Sequence, residues 1–290
     1  MPFALHHADV TLTDALRRIA GAELAAALAH MPGDPGAVHD SRKRVKKLRA
    51  LLRLVRAGFP DGAAENAVLR DAAGGLSGLR DAEVLLATHD GLMPGGGGAV
   101  RALLVQRRDR AAADPAQAAR SAAFRAVLAG VQSRVGGWRV KGREAEVLAA
   151  GLARTRVRAV RAMAAARGSG TAEAMHAWRK RVKDGWYQAR LFAPVWPEAM
   201  APVEAASNRL GEALGDHHDL AVFTDFLDTL PADAGALAAE AADLRQLAHH
   251  AQATLEAEAM ALGVRVHAGD PAGVAALWVA WWQAWRQAQV

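Results

Sequence analysis

The chain has 290 residues, a formal net charge of +6 and a sequence pI of about 10.2, so acidic partners are expected. It contains no cysteine, which excludes disulfides, thiolate metal sites and cysteine nucleophiles and fits a reducing compartment. Since neither a signal peptide nor a run of about eighteen apolar residues occurs, we expect a cytoplasmic protein without a membrane span.

Alanine and leucine dominate the chain, aromatic residues are few and β-branched alternation is rare, so the sequence predicts an all-α fold. Breaks rich in proline and glycine separate the helices. In chain order we predict helices at about 11–30, 36–57, 61–74, 78–90, 98–113, 115–135, 144–167, 171–193, 197–213, 216–230, 233–262 and 271–288. The whole chain, 1–290, is expected to be one domain, with lobes at about 1–136 and 143–290 and a linker at 136–142.

Two stretches, residues 38–55 and 175–192, carry nearly the same motif 137 residues apart. His39, Arg42, Lys46 and Arg53 match His176, Arg179, Lys183 and Arg190 at this offset. A second echo aligns 76–86 with 214–224 and places Asp81 over Asp219. A repeat of this size indicates two copies of one supersecondary unit.

The repeated motif is a row of cations behind a histidine. Projected at ~100° per residue, the cations of 38–55 fall on one helix face and the aliphatic residues on the opposite face. The row is about 21 Å long from His39 to Arg53, at ~1.5 Å per residue. No Asp or Glu occurs between Ser41 and Arg56, so we expect nothing on this helix to neutralise it. An ordinary solvated face interleaves acids with bases. This pattern, occurring twice, favours a polyanion over the alternative of a merely soluble basic surface.

The motif H-x-x-R-x-x-x-[KR]-[KR]-L-R, followed some forty residues later by L-x-x-x-x-D and then repeated, resembles the CHAD (conserved histidine α-helical domain) family. The resemblance covers nearly the whole chain and fits a stand-alone version. It implies two pseudo-symmetric antiparallel four-helix bundles whose basic helix faces form a central groove or pore. It also implies binding of inorganic polyphosphate there, without catalysis or cofactor, and in some members association with polyphosphate granules.

Carried over position by position, the resemblance and the periodicity give one set of candidate polyphosphate-binding residues. The family motif supplies His39, Arg42, Lys46, Lys47, Arg49, His176, Arg179, Lys180 and Lys183. The periodicity adds Lys43, Arg53 and Arg190. The helices before each motif supply second-tier candidates, for which ordinary solvated surface is the alternative: Arg17, Arg18, Arg154, Arg158 and Arg161.

The second copy departs from the first at three consecutive positions. Asp184, Gly185 and Trp186 stand where the first copy has Lys47, Leu48 and Arg49. An acid thus replaces a base and an indole replaces an arginine, so we expect the first lobe to dominate binding. Trp186 is expected to pack between the lobes, with lining the groove as the alternative.

The repeated histidines and aspartates permit more than one role. His39 and His176 either donate to phosphate oxygens, the role we favour, or are buried and orient arginines. Asp81 and Asp219 are expected to hold a cation in position or to cap a helix. No metal site is predicted, because consecutive helical positions such as 217–219 point about 100° apart.

Two other functions compete with polyphosphate binding. Nucleic-acid binding shares the electrostatics but usually adds stacking aromatic residues, and the chain has a single Tyr. An interaction scaffold would use the indoles of the last helix, Trp278, Trp281, Trp282 and Trp285, whose spacing instead predicts a buried face. The sequence predicts no particular oligomeric state.

Overall fold

Helices account for the regular structure in the computed structural model, which describes residues 3–29, 36–75 and 78–288, with the backbone alone at 37 and 38. Within these ranges it contains no strand, so the all-α prediction is confirmed. No helix there is long and apolar enough to cross a membrane. In chain order the helices are α1 (Leu12–Ala29), α2 (Ala37–Leu54), α3 (Gly62–Gly74), α4 (Gly78–Leu92), α5 (Ala99–Ala112), α6 (Ala116–Val135), α7 (Glu144–Ser169), α8 (Ala172–Phe192), α9 (Pro197–Asp228), α10 (Ala236–Val266) and α11 (Pro271–Gln287).

Local sequence sets several of the helix ends. Gly170 closes α7 with a φ of 62°, a left-handed conformation that glycine adopts without steric cost. The next residue, Thr171, caps α8 because its hydroxyl accepts a hydrogen bond from the Ala174 amide at 3.3 Å. Asp270 caps α11 in the same way, accepting from the Gly273 amide at 2.7 Å. The tight connection from α7 to α8 therefore follows directly from the sequence Gly-Thr.

The helices contact one another in three groups. In the first, α1, α2, α3 and α6 form a closed ring in which each helix contacts the next. In the second, α7, α8, α9 and α10 do the same. In the third, α4 and α5 pack on each other and on α9 and α10. The long helices α9 and α10 therefore belong to both the second and the third group. Helix α11 lies on α7, and α2 joins the first group to the second by contacting α7 and α8.

The third group joins the two halves of the sequence through a shared apolar core. Leu85 and Leu104, from α4 and α5, lie in one buried cluster with Phe223 and Leu244, from α9 and α10. Helices on both sides of the 136–142 linker therefore pack together. The lobe boundaries and the pseudo-symmetric relation of the two bundles stay predictions.

The prediction of separate helices at 197–213 and 216–230 is wrong, because α9 runs without a break from Pro197 to Asp228. The predicted break fell at Gly215, which lies buried inside the helix. A Cβ built on Gly215 would lie 3.2 Å from Nη2 and 3.3 Å from Nε of Arg179. This glycine thus provides room for a neighbouring side chain and does not terminate the helix.

The indoles of α11 pack on their own chain. Trp278 and Trp282 are buried, as their spacing predicted. Trp281 forms an edge-to-face contact with Trp196, and Trp285 lies against His7 with ring centroids 3.6 Å apart. Two of the four indoles are therefore buried and the other two are partly exposed, which weakens the support for an interaction scaffold.

Candidate functional site

The contact between α2 and α8 brings the two copies of the motif together. Burial, and then the charges of Arg179, Arg42, Arg80 and Lys183, lower the pKa of Lys46 to about 8. The Lys46 side chain is nevertheless accessible to solvent. Lys46 therefore has many neighbours around it, yet its side chain still contacts solvent.

The cations around Lys46 form a group that we call the cationic cluster. The charge of Lys43 lowers the pKa of Lys183, and the charge of Arg179 lowers the pKa of Lys180, which indicates that the members of each pair lie near each other. The cluster draws on α2, α4 and α8 and consists of Arg42, Lys43, Lys46, Arg80, Arg179, Lys180 and Lys183. Six of these seven residues are in the predicted set, and Arg80 is the addition.

No member of the cationic cluster forms an ion pair with a carboxylate in the described part of the chain. Arg42 donates instead to the backbone oxygen of Ala73 at 2.6 Å, and Nε of Arg179 is buried without a hydrogen-bond partner. Burial lowers the pKa of Arg42 and of Lys183. Like charges held together and partly dehydrated repel each other, and a bound anion would relieve that repulsion.

Two glycines of α9 make room for the cluster cations of α8. A Cβ on Gly211 would lie 2.9 Å from Cε and 3.1 Å from Nζ of Lys183. Gly215, one turn further on, lies equally close to the guanidinium of Arg179. The α9 backbone thus approaches both side chains more closely than any other residue type would allow.

Arg80 was missed because it lies outside the basic motif. It precedes Asp81 on α4, and its charge acts on both Lys46 and His39. The alignment of residues 76–86 with 214–224 could have indicated Arg80, because it places Arg80 over His218. In the structure, His218 stacks on His176. The residue before each repeated aspartate therefore lies beside the motif histidine of its own repeat.

The repeated aspartates lie beside the cationic cluster without forming an ion pair. In the first repeat the charge of Asp81 raises the pKa of Arg42, against the larger effect of burial. In the second repeat the charge of Arg179 lowers the pKa of Asp219. Burial raises the pKa of Asp219, an effect that Arg179, Arg80 and Lys46 partly oppose. Neither carboxylate caps a helix in the described ranges.

The two motif histidines have different surroundings. His39 is exposed, and desolvation followed by the charges of Arg80, Lys46 and Lys43 lowers its pKa. His176 is stacked on His218, with ring centroids 3.7 Å apart and planes inclined by 28°. Burial and the charge of His218 lower the pKa of His176 to about 3. His176 is therefore neutral at pH 7 in the ligand-free protein.

Three of the predicted cations form ion pairs with acids from other helices, which the absence of acids within the basic helix did not predict. Lys47 pairs with the fully buried Glu23 of α1 at 3.0 Å, and its ammonium lies over the Phe3 ring. Arg53 pairs with Asp184 of α8 at 2.7 Å. Arg190 pairs with Glu204 of α9 at 3.3 Å. A helix that contains no acid can still have its cations paired with acids of neighbouring helices.

Arg49 and Trp186, at matching positions of α2 and α8, both lie among cations. Nε of Arg49 donates to Oδ1 of Asn66 at 3.2 Å, while burial and the charge of Arg53 lower its pKa to about 10. The Trp186 ring has Nζ of Lys183 4.3 Å and Cζ of Arg190 5.2 Å from its centroid. Trp186 also packs on the large apolar core. The indole therefore packs on the core and also contacts two cations.

The second-tier arginines separate into two groups. Nε of Arg17 donates to the Trp138 carbonyl at 2.8 Å, and Arg18 pairs with Asp9 at 2.7 Å, so both are engaged away from the cationic cluster. Arg161 is exposed on α7. Arg154 and Arg158 instead line a surface cavity together with Thr155 of α7, Arg53 of α2, Arg56 just after α2, and Arg181 and Asp184 of α8. We call this cavity the arginine pocket.

The positions 217–219, considered above as metal ligands, have other roles. His218 stacks on His176, and the carbonyl of buried His217 accepts a hydrogen bond from Gln252 at 3.4 Å. Among the described residues no three His, Asp or Glu side chains are placed to share a metal ion.

Comparison with known proteins places the chain in a family. The family model for the CHAD domain matches residues 12–228, so this protein belongs to the CHAD domain family. Its fold is similar to that of the CHAD domain from the plant Ricinus communis, known from a crystal structure. That similarity has a TM-score of 0.67 at 22% identity and covers 93% of this chain and 96% of the other. No curated protein matches the chain.

Proposed function

We propose that the cationic cluster binds inorganic polyphosphate, with phosphates of one chain contacting both repeats. The observation that carries this proposal is the convergence of seven cations from α2, α4 and α8 without an ion pair in the described ranges. A linear polyanion matches a row of cations more fully than a small anion does, because each cation meets its own phosphate.

The energetics support a polyanion as the ligand. Arginine offers two parallel hydrogen bonds to phosphate oxygens, whereas lysine acts as a mobile point charge. Binding would release counterions and relieve the repulsion that, together with burial as the larger cause, lowers the pKa of Lys46 to about 8. The affinity is therefore expected to fall steeply with salt, as it does for proteins that bind nucleic-acid phosphates.

The proposal is binding without catalysis. The charges that lower the pKa of Lys46 are those of cations, and the carboxylates that act on the cluster, namely Asp81, Glu212, Asp216 and Asp219, form no ion pair with its members among the described residues. Storage of polyphosphate, its delivery to another protein and association with polyphosphate granules are roles that such binding would serve.

A competition titration at near-physiological salt tests the proposal. Labelled long-chain polyphosphate is challenged with duplex DNA and single-stranded RNA at equal phosphate concentration. We expect polyphosphate to bind at least about tenfold more tightly, because stacking aromatic side chains, which strengthen single-strand binding, are scarce around the cluster. Trp186 is the exception, and it is already in contact with Lys183 and Arg190.

A variant of the first motif completes the test. Changing Arg42, Lys46 and Arg49 to Ala should remove polyphosphate binding. Equal competition by nucleic acid, or unchanged binding by this variant, would show that the basic surface is generic charge.

A further inference from the structure

The arginine pocket lies where α2, α7 and α8 meet, and the proposed function does not account for it. Five guanidinium groups line it, from Arg53, Arg56, Arg154, Arg158 and Arg181, together with the Thr155 hydroxyl and the Asp184 carboxylate. One acid among five bases leaves a strong excess of positive charge in a concave site.

Asp184 organises part of this charge without cancelling it. The buried carboxylate pairs with Arg53 at 2.7 Å through one oxygen and with Arg181 at 3.2 Å through the other. These two arginines are thereby held in place. Arg56, Arg154 and Arg158 form no hydrogen bond or ion pair with any described residue, so their donors face the cavity or solvent.

Arg49 connects the arginine pocket to the cationic cluster. Arg49 lies one helical turn before the pocket residue Arg53 on α2, and its pKa is lowered by burial and then by the charge of Arg53. On the cluster side, the charge of Arg49 acts on Lys180, which is itself near Arg179. Positive charge therefore continues from the cluster into the pocket.

We propose that the arginine pocket binds the terminal phosphate of a linear polyphosphate whose internal phosphates lie along the cationic cluster. This inference rests on the proposed function. A terminal phosphate resembles a phosphomonoester, whose second pKa is about 6, so it carries more negative charge at pH 7 than an internal phosphate. It also presents three unbridged oxygens, which suit several arginines that converge from different helices.

Linear and cyclic phosphates separate this proposal from simple charge attraction. Linear tripolyphosphate has two ends, whereas cyclic tetrametaphosphate has none and carries about the same total charge near neutral pH. By calorimetric titration we expect the wild type to bind the linear compound about tenfold or more tightly, the effect of one or two charge-assisted hydrogen bonds. Equal binding of the two compounds overturns the proposal.

Two matched variants place the preference in the pocket. Arg154→Gln with Arg158→Gln removes two exposed pocket arginines, and we expect it to abolish the linear preference while long-chain binding falls less than about threefold. Arg167→Gln with Arg265→Gln removes the same charge from exposed positions of α7 and α10 outside the pocket and should change neither. A linear preference that survives in the pocket variant overturns the proposal. Arg158→Gln alone repeats the test if the double variant folds poorly.

The two proposals fail in different ways. If the wild type does not bind long-chain polyphosphate, the proposed function itself is wrong. If long chains bind but the pocket variant leaves the linear preference intact, the pocket assignment alone is wrong and the cationic cluster stands.

Discussion

The motif helices α2 and α8 begin with the same cations and then differ at three consecutive positions. In α2, Lys47 pairs with Glu23, Leu48 is fully buried and Arg49 joins the row. In α8, Asp184 pairs with arginines, and Gly185 lines an apolar cavity between α7, α8, α9 and α11. Trp186 takes the place of the arginine.

Because of this difference, α2 mainly supplies cations, whereas the second half of α8 supplies side chains that hold cations in position. Helix α2 contributes cations throughout its length. Helix α8 contributes its cluster cations before position 184, and then an acid that pairs with Arg53 and Arg181 and an indole that contacts Lys183 and Arg190. Two equivalent copies would have left the arginine pocket without the carboxylate that positions it.

The largest expected effect tests whether the two helices contribute unequally. We compare Arg42, Lys43 and Lys46 changed to Gln with the matching triple of α8, Arg179, Lys180 and Lys183 changed to Gln. Both lower the net charge equally. The α2 triple should lose about tenfold more affinity, because the α8 triple leaves the four α2 cations Arg42, Lys43, Lys46 and Arg49 in one row, whereas the α2 triple leaves only three such cations together on α8. Titration with long-chain polyphosphate at several salt concentrations measures this, and equal losses contradict the prediction.

A smaller effect is expected from the glycines that accommodate the α8 cations. Gly215→Ala should weaken polyphosphate binding severalfold, because the new Cβ displaces the Arg179 guanidinium without changing any charge. Gly185→Ala is the matched control, since its Cβ would meet nothing within 4 Å. Alanine is favoured over glycine in a helix by about 0.8–1.0 kcal/mol, so the control should raise the melting temperature and leave affinity unchanged. Equal affinity of both variants would mean that the position of Arg179 is unimportant.

The cationic cluster is expected to cost stability, which gives a test without ligand. The pKa of Lys46 is lowered from 10.5 to about 8, so between these pH values the folded state binds fewer protons than the unfolded state. At pH 7 the full penalty applies, and it is relieved as the pH rises through that range. Lys46→Met should therefore melt at a higher temperature than the wild type at pH 7. The difference should vanish above about pH 10.5; a difference that persists there contradicts the assignment.

The family resemblance implied that basic helix faces meet and supplied five of the seven cluster cations, and the helix projection added Lys43. The pairing of charges could not be predicted in the same way. Lys47 lies one position from Lys46, yet it faces α1 and meets Glu23, whose sequence position is 24 residues away. Gly215 shows the same limit, since a glycine that ends a helix and one that admits a neighbour look alike in sequence.

The smallest expected effect concerns acid stability and again separates the repeats. The pKa of His176 is lowered to about 3 and that of His218 to about 4, both from 6.5 and both mainly by burial. As the pH falls below 6.5, these histidines bind protons in the unfolded state but stay neutral in the folded state, so the free energy of unfolding decreases towards pH 4. His176→Gln should reduce this loss in urea unfolding at pH 7, 6, 5 and 4. His39→Gln should reduce it less, because His39 is exposed and has Arg80 in place of a stacked imidazole. If the two variants lose stability in parallel, the stacked pair does not distinguish the second repeat from the first.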